Sequence, residues 1–149
     1  MWIFFFVASL LGIGYEAEIA QLAALRAQTQ LAVQREDQQT MGVLLASASA
    51  YVTANPGASG NVALTSLNLP SWFKPPPGAG VDVQSPKVIY AYMPIVYAPE
   101  ASRLVAALTT AGFIAGFARG GTLYSTTGSA VTSAPAGIPS NATTVRYPQ

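Results

Sequence analysis

The chain contains no cysteine and no histidine. Without cysteine there is no disulfide framework, no thiolate nucleophile, no lipoprotein acylation and no thiolate metal site. Without histidine, the commonest general base and the commonest metal ligand are missing. Charge is scarce as well. Only 9% of residues are charged and the formal net charge is +1, whereas an ordinary soluble domain carries about 25% charged residues. That balance gives no steering toward nucleic acid or anionic lipid. It suits a chain tethered to a membrane or covered by partners. The 149 residues suffice for one domain plus an anchor.

What the chain does have is an uncharged apolar run at its start, Trp2 to Tyr15, with Phe4, Phe5, Phe6, Leu10 and Leu11 within it. As a helix this run would be about 21 Å long, short of the roughly 30 Å of a bilayer core. Three readings follow. One is an uncleaved anchor that continues through Glu16, Ala17, Glu18, Ile19 and Ala20, with the acids near the lipid–water boundary or against a partner helix. Another is a cleaved signal peptide, whose apolar core has this length, although no basic residue precedes the run and no clean small-x-small site follows it. The third is a buried core helix. The anchor is the favoured reading, and charge alone leaves its orientation open.

From Glu16 to Ala54 no proline occurs and Gly42 is the only glycine. Alanine, leucine and glutamine predict a helix. Ile19, Leu22 and Leu25 recur at helical spacing, and Leu31 and Val33 extend the apolar content. Gln34 to Thr40 is polar on every face and reads as a solvated waist, with Asp37 or Thr40 capping a helix that restarts there. A second stripe, Met41, Leu44, Leu45, Ala48, Tyr51 and Val52, predicts a helix packed on a sheet, and Asn55-Pro56-Gly57 ends it. The alternative for the helical stretch is an interface with another chain, for which the Ala/Gln-rich part before Arg35 is the best candidate.

Gly57 to Val83 reads as an irregular loop pinned by Leu64, Leu67, Leu69, Trp72 and Phe73. Pro75-Pro76-Pro77-Gly78 is either a rigid surface turn or an extended proline segment offered to a partner. Val88 to Met93, β-branched and aromatic and closed by Pro94, is the clearest strand. A helix opens at Ala98-Pro99-Glu100 and turns Leu104, Val105, Leu108 and Ala111 inward, with Gly112 as its cap. Phe113 to Ala118 and Thr122 to Thr126 predict two strands joined by a Gly120-Gly121 hairpin. A Ser/Thr/Pro-rich tail ends in a short strand, Thr144 to Tyr147. The expected fold class is α+β: an N-terminal membrane-anchor helix continuing into a long helix, then a small antiparallel sheet with one further helix. The expected division is residues 1–36 as anchor and helical stalk and residues 37–149 as the α+β domain.

Chemistry is sparse. The acids are Glu16, Glu18, Glu36, Asp37, Asp82 and Glu100. Glu16/Glu18 and Glu36/Asp37 read as solvated helix surface, and no pair has an acid/base context. Ser71-Trp72-Phe73-Lys74 fits S-x-x-K, but the accompanying S-D-N and K-T-G elements are missing. Gly116 to Thr122 lacks the lysine of a phosphate-binding loop. No catalytic, cofactor-binding or metal-binding residue is expected, and no nucleic-acid or small-molecule partner. The candidate functional residues are the anchor set, Trp2, Phe4, Phe5, Phe6, Leu10, Leu11 and Tyr15. Candidate partner contacts are Glu16, Glu18, Leu22, Leu25, Pro75, Pro76 and Pro77.

Several of these pieces together resemble a known family. They are the apolar amino terminus, the Gln-Arg-Glu-Asp waist before a helix, and the aromatic strand ending Tyr92-Met93-Pro94. With them go Leu104-Val105-Ala106-Ala107-Leu108, the Gly116…Gly120-Gly121 hairpin, and Pro135-Ala136-Gly137-Ile138-Pro139 followed by Val145-Arg146-Tyr147. Over most of its length the chain resembles the small PilM family of conjugative thin, type IVb-like pili, which is distinct from the actin-like cytoplasmic protein sharing that name. The resemblance implies an inner-membrane protein of the pilus basal apparatus, single-pass, with its domain in the periplasm and no active site. It implies partners among other inner-membrane or basal-body pilus proteins, and further copies of itself. The competing expectation is a pilin-like filament subunit with an apolar N-terminal helix and an α+β head. Against that expectation, no basic leader precedes the run, and Glu16 and Glu18 lie beyond the early position where pilins place their acid.

Overall fold

A computed structural model of the chain describes the backbone of residues 2–84, 88–96 and 98–148, with side chains described from Ala24 onward, Gln30 excepted. The side chains of Trp2, Phe4, Phe5, Phe6, Leu10, Leu11, Tyr15, Glu16, Glu18 and Leu22 lie outside the described set. The chain divides into two compact units, residues 1–35 and residues 36–149.

Helix α1 runs from Trp2 to Ala54 without interruption. The expected waist and restart at Asp37 or Thr40 are therefore corrected. Glutamine, arginine and glutamate are good helix formers, and a polar stretch without proline or glycine gives the ladder no reason to stop. Nor is this stretch wholly solvated: Thr40 is buried and Asp37 half-buried. The helix ends where expected, with the backbone N–H of Asn55 donating to the Tyr51 and Val52 carbonyls and its side-chain amide donating to the Tyr51 carbonyl. Pro56 cannot extend the ladder.

Within residues 36–149, seven strands form one antiparallel sheet: β1 (Gly60–Val62), β2 (Gly80–Val83), β3 (Val88–Pro94), β4 (Ile114–Arg119), β5 (Thr122–Tyr124), β6 (Ala130–Ser133) and β7 (Ala142–Pro148). Helix α2 (Ala98–Thr110) lies between β3 and β4 in sequence. The spatial order is β1-β2-β3-β7-β4-β5-β6. The final strand therefore sits at the centre. It pairs antiparallel with β3 through Tyr92↔Thr144 and with β4 through Gly116↔Thr144. Strands β3 and β4 thus run parallel with a gap between them that β7 fills. Parallel strands need a crossover, and α2 supplies it in the manner of a split βαβ unit.

Three strands were not anticipated. The stretch Gly57 to Val83 was expected to be irregular but contains β1 and β2, and the tail contains β6. All are four residues or shorter. Strand β2 carries a buried aspartate, Asp82, which breaks its apolar signature. Of the expected apolar pins, Leu67 is a core residue and Leu64, Leu69 and Phe73 pack against the core, whereas Trp72 is exposed.

One sheet face carries the helices. Met41, Leu44, Leu45, Ala48 and Val52 of α1 and Leu104, Val105 and Leu108 of α2 pack with Val81, Val83, Ile89, Ala91, Met93, Ala115 and Val145 from alternate strand positions. Each valine, leucine, isoleucine or methionine side chain among these, fully buried, contributes about 1.5–3 kcal/mol. Ala111, expected to face inward, is exposed, because the helix has already closed. The Gly112 N–H bonds the Thr109 carbonyl and the Phe113 N–H bonds the Leu108 carbonyl, the paired bonds of a Schellman cap, with Gly112 at φ 90°. The Gly120-Gly121 hairpin also matches expectation, with both residues at positive φ as a two-residue type I′ turn requires.

The opposite face buries a second cluster of Tyr90, Tyr92, Ala118, Leu123, Ile138 and Ala142, with Val88 and Ala134 against it. Its cover is the segment between β6 and β7, whose Pro135 and Ile138 are buried. The proline-rich stretch of the tail is therefore a lid on the sheet.

Candidate functional site

Among the described residues no three acidic side chains converge in a way that would hold a metal ion. Asp37 lies near Glu100. Burial first, and then the Glu100 and Glu36 carboxylates, raise its pKa above the ordinary aspartate value. The Glu36/Asp37 pair is thus only partly the solvated helix surface expected of it, because Asp37 lies near the first turn of α2. Asp82 is the other perturbed acid, raised by burial and partly relieved by a hydrogen bond from Gln84.

Asp82 belongs to a polar row on the lid-covered face. The register Asn61↔Asp82↔Tyr90↔Arg146 runs across four strands. The neighbouring row is Gly80↔Tyr92↔Thr144↔Gly116. The Asn61 side-chain amide donates to the Tyr92 hydroxyl at 2.9 Å, and the Tyr90 hydroxyl donates to the Ser133 carbonyl at 3.4 Å. Gly80 makes room for this arrangement, because a Cβ there would overlap the Tyr92 hydroxyl. Three buried atoms in these rows have no hydrogen-bond partner: Asp82 Oδ1, Thr144 Oγ1 and Arg146 Nε. Sequence patterning missed them, since period-2 alternation marks Thr144 and Arg146 as solvent-facing and gives no sign of the lid.

A groove of about 700 Å³ lies where the end of β3, the start of α2 and the β4–β5 hairpin meet. Ile95, Ala98 and Ser102 form one wall, while Phe117, Arg119 and Tyr124 form the floor and far side. Ser125, Thr126, Gly128 and Asn141 make the rim. A smaller depression of about 380 Å³ joins Glu36, Gln39 and Thr40 of α1 to Trp72, Phe73 and Lys74. Trp72 is 62% exposed there and stacks edge-on against Phe73 at 6.0 Å.

The proline segment takes the turn form. The Ala79 N–H donates to the Pro76 carbonyl, and Gly78 has φ 82°, the geometry of a type II turn. Pro75 and Pro76 are half-buried and Pro77 is exposed. Of the two readings the segment takes the rigid turn, which returns the chain into β2. Leu25 is 59% exposed and Leu31 55% exposed, and Ala24 to Thr29 are exposed throughout. No helix among the described residues is long and apolar enough to cross a membrane.

The PilM family model matches residues 6–145. The chain belongs to the PilM family. A crystal structure provisionally assigned as a pilM protein from Pseudomonas aeruginosa 2192 is similar to this PilM-family chain, with 28% identity over 78% of this chain and 92% of that one and a TM-score of 0.38. Among curated proteins none matches the chain.

Proposed function

We propose that this PilM-family protein is a non-enzymatic assembly component of a type IVb-like pilus or related secretion machine. In this reading it is held at the inner membrane by its first 36 residues, with residues 37–149 in the periplasm, and it acts through contacts with other basal-body proteins or further copies of itself. Family membership over residues 6–145 carries the reading. Support comes from α1, where the large apolar side chains of Leu25 and Leu31 are exposed in and beside the Ala/Gln-rich stretch that reads as a partner interface. The exposed Trp72 adds to it, because tryptophan is enriched where interfaces form.

Separating membranes from sheared filaments tests the proposal. An assembly component stays with the inner-membrane fraction and co-purifies there with other pilus proteins. Recovery chiefly in the sheared filaments would favour the competing reading, a pilin-like subunit, which the run of one long helix into an α+β head also supports. Intact-mass measurement of the membrane-extracted protein checks the anchor, which loss of residues 1–17 would exclude.

A further inference from the structure

We infer that the groove between α2 and the β4–β5 hairpin receives a carboxylate-bearing segment of a partner protein, recognised by Arg119. The inference rests on the assembly role proposed above and names the surface and chemistry through which that role is exercised. Four observations carry it.

The groove has about 700 Å³ of space, within the range of clefts that seat a ligand of several residues. Among the described residues Arg119 is the only charged one lining it, and no ion pair or hydrogen bond among them engages its side chain. A single guanidinium presents two parallel N–H donors that match one carboxylate. A phosphate monoester would bring nearly two negative charges to a groove with one cation, so charge favours the carboxylate. Asn141 stands at the rim with φ 67°, a conformation that non-glycine residues seldom adopt and asparagine tolerates best. Its N–H bonds the Ala118 carbonyl at 2.8 Å and its carbonyl accepts from the Ile95 N–H at 3.2 Å. Both sides of the residue are therefore fixed, and its side-chain amide is left for a ligand backbone. Phe117 and Tyr124 are half-buried, giving apolar floor for the side chains that flank the acid.

The test uses the full chain in membranes of piliated cells, with the photo-crosslinker p-benzoyl-phenylalanine at Thr126 on the rim or at the exposed Ala46 of α1 as control. Mass spectrometry then identifies the crosslinked peptide. The expected result is one partner peptide at Thr126, absent at Ala46, carrying Asp, Glu or a chain-terminal carboxylate. Arg119→Glu lowers its yield at least tenfold, Arg119→Lys keeps part of it, and reversing the partner's acid to arginine restores it in the Arg119→Glu background. Because Arg119 is exposed, near-ultraviolet circular dichroism of the Arg119→Glu chain stays unchanged, which separates lost binding from lost folding. A peptide without a carboxylate, a yield indifferent to Arg119→Glu, or a crosslink to lipid overturns the inference. So does the absence of a crosslink while the chain still co-purifies with pilus proteins, an outcome that leaves the assembly role standing. Failure to co-purify with any pilus protein overturns the assembly role instead.

Discussion

Replacing Thr144 by valine should stabilise the domain. Thr144 sits in the central strand β7, 0% exposed, between Tyr92 and Gly116 on adjacent strands. Its hydroxyl has no hydrogen-bond partner. Taking a hydroxyl out of water without a partner costs about 1–3 kcal/mol, and valine occupies nearly the same shape while favouring the strand at least as well. The Thr144→Val chain should therefore gain about 1–2 kcal/mol, less than the full penalty because the added methyl must fit beside Tyr92. For a domain of this size, that corresponds to a Tm rise of roughly 4–8 °C. Urea unfolding followed by near-ultraviolet circular dichroism of the buried Tyr90 and Tyr92 reads the domain without the contribution of the long helix. The midpoint should rise with m unchanged. A loss of 1 kcal/mol or more would refute the reasoning, because it would mean that the hydroxyl is bonded, through a buried water for instance, and that the polar rows under the lid are satisfied.

Leu44, wholly buried where α1 meets the sheet, should cost about 2–5 kcal/mol when replaced by alanine, read by the same urea titration. Gly116→Ala should also destabilise, by about 1–3 kcal/mol, because a Cβ there falls 2.6 Å from the Tyr124 carbonyl oxygen and that backbone cannot yield without opening β4–β5. Asp82→Asn should raise stability at neutral pH. Burial raises the Asp82 pKa in the folded state, so the folded chain holds its proton more tightly than the unfolded chain, and native stability falls as pH rises from the ordinary aspartate value through the raised one. The gain from Asp82→Asn should thus be full above that window and vanish below the ordinary aspartate pKa; melting temperatures from pH 3 to pH 8 check it, and a constant gain would exclude this account.

The local features legible in the sequence rest on backbone chemistry that acts within a few residues. The helix stop at Asn55-Pro56-Gly57, the Gly112 cap and the Gly120-Gly121 turn follow from missing N–H donors and positive φ, which any sequence context would impose. The stripe from Met41 to Val52 was legible from its 3.6-residue periodicity, and the strand at Val88 from its β-branched and aromatic composition closed by Pro94. The waist at Gln34 to Thr40 was misread because polarity argues for exposure but not against helix, and only proline or glycine would have broken the ladder. As for the candidate sites, the proline segment was visible as a motif, and its turn form rests on Pro77-Gly78 at the centre of a type II turn, with Gly78 at φ 82°. Arg119 carried no signal, since a lone arginine after a strand is unremarkable until α2 and Asn141 are set around it.

Sequence alone thus determined the α+β class, where both helices end, the lack of thiol and imidazole chemistry, and the family. Tertiary structure decided what long-range pairing decides. The last strand enters the middle of the sheet because the β3–α2–β4 crossover leaves two parallel strands that only an antiparallel strand between them can bridge. That insertion carries Thr144 and Arg146 from an apparently solvated tail into the interior, folds the Pro135–Ile138 segment over Asp82 and Tyr90, and brings Asn141 to the rim of the Arg119 groove. None of these contacts is local in sequence, so no local pattern encodes them; they exist because burying both faces of a seven-stranded sheet requires a cover on each.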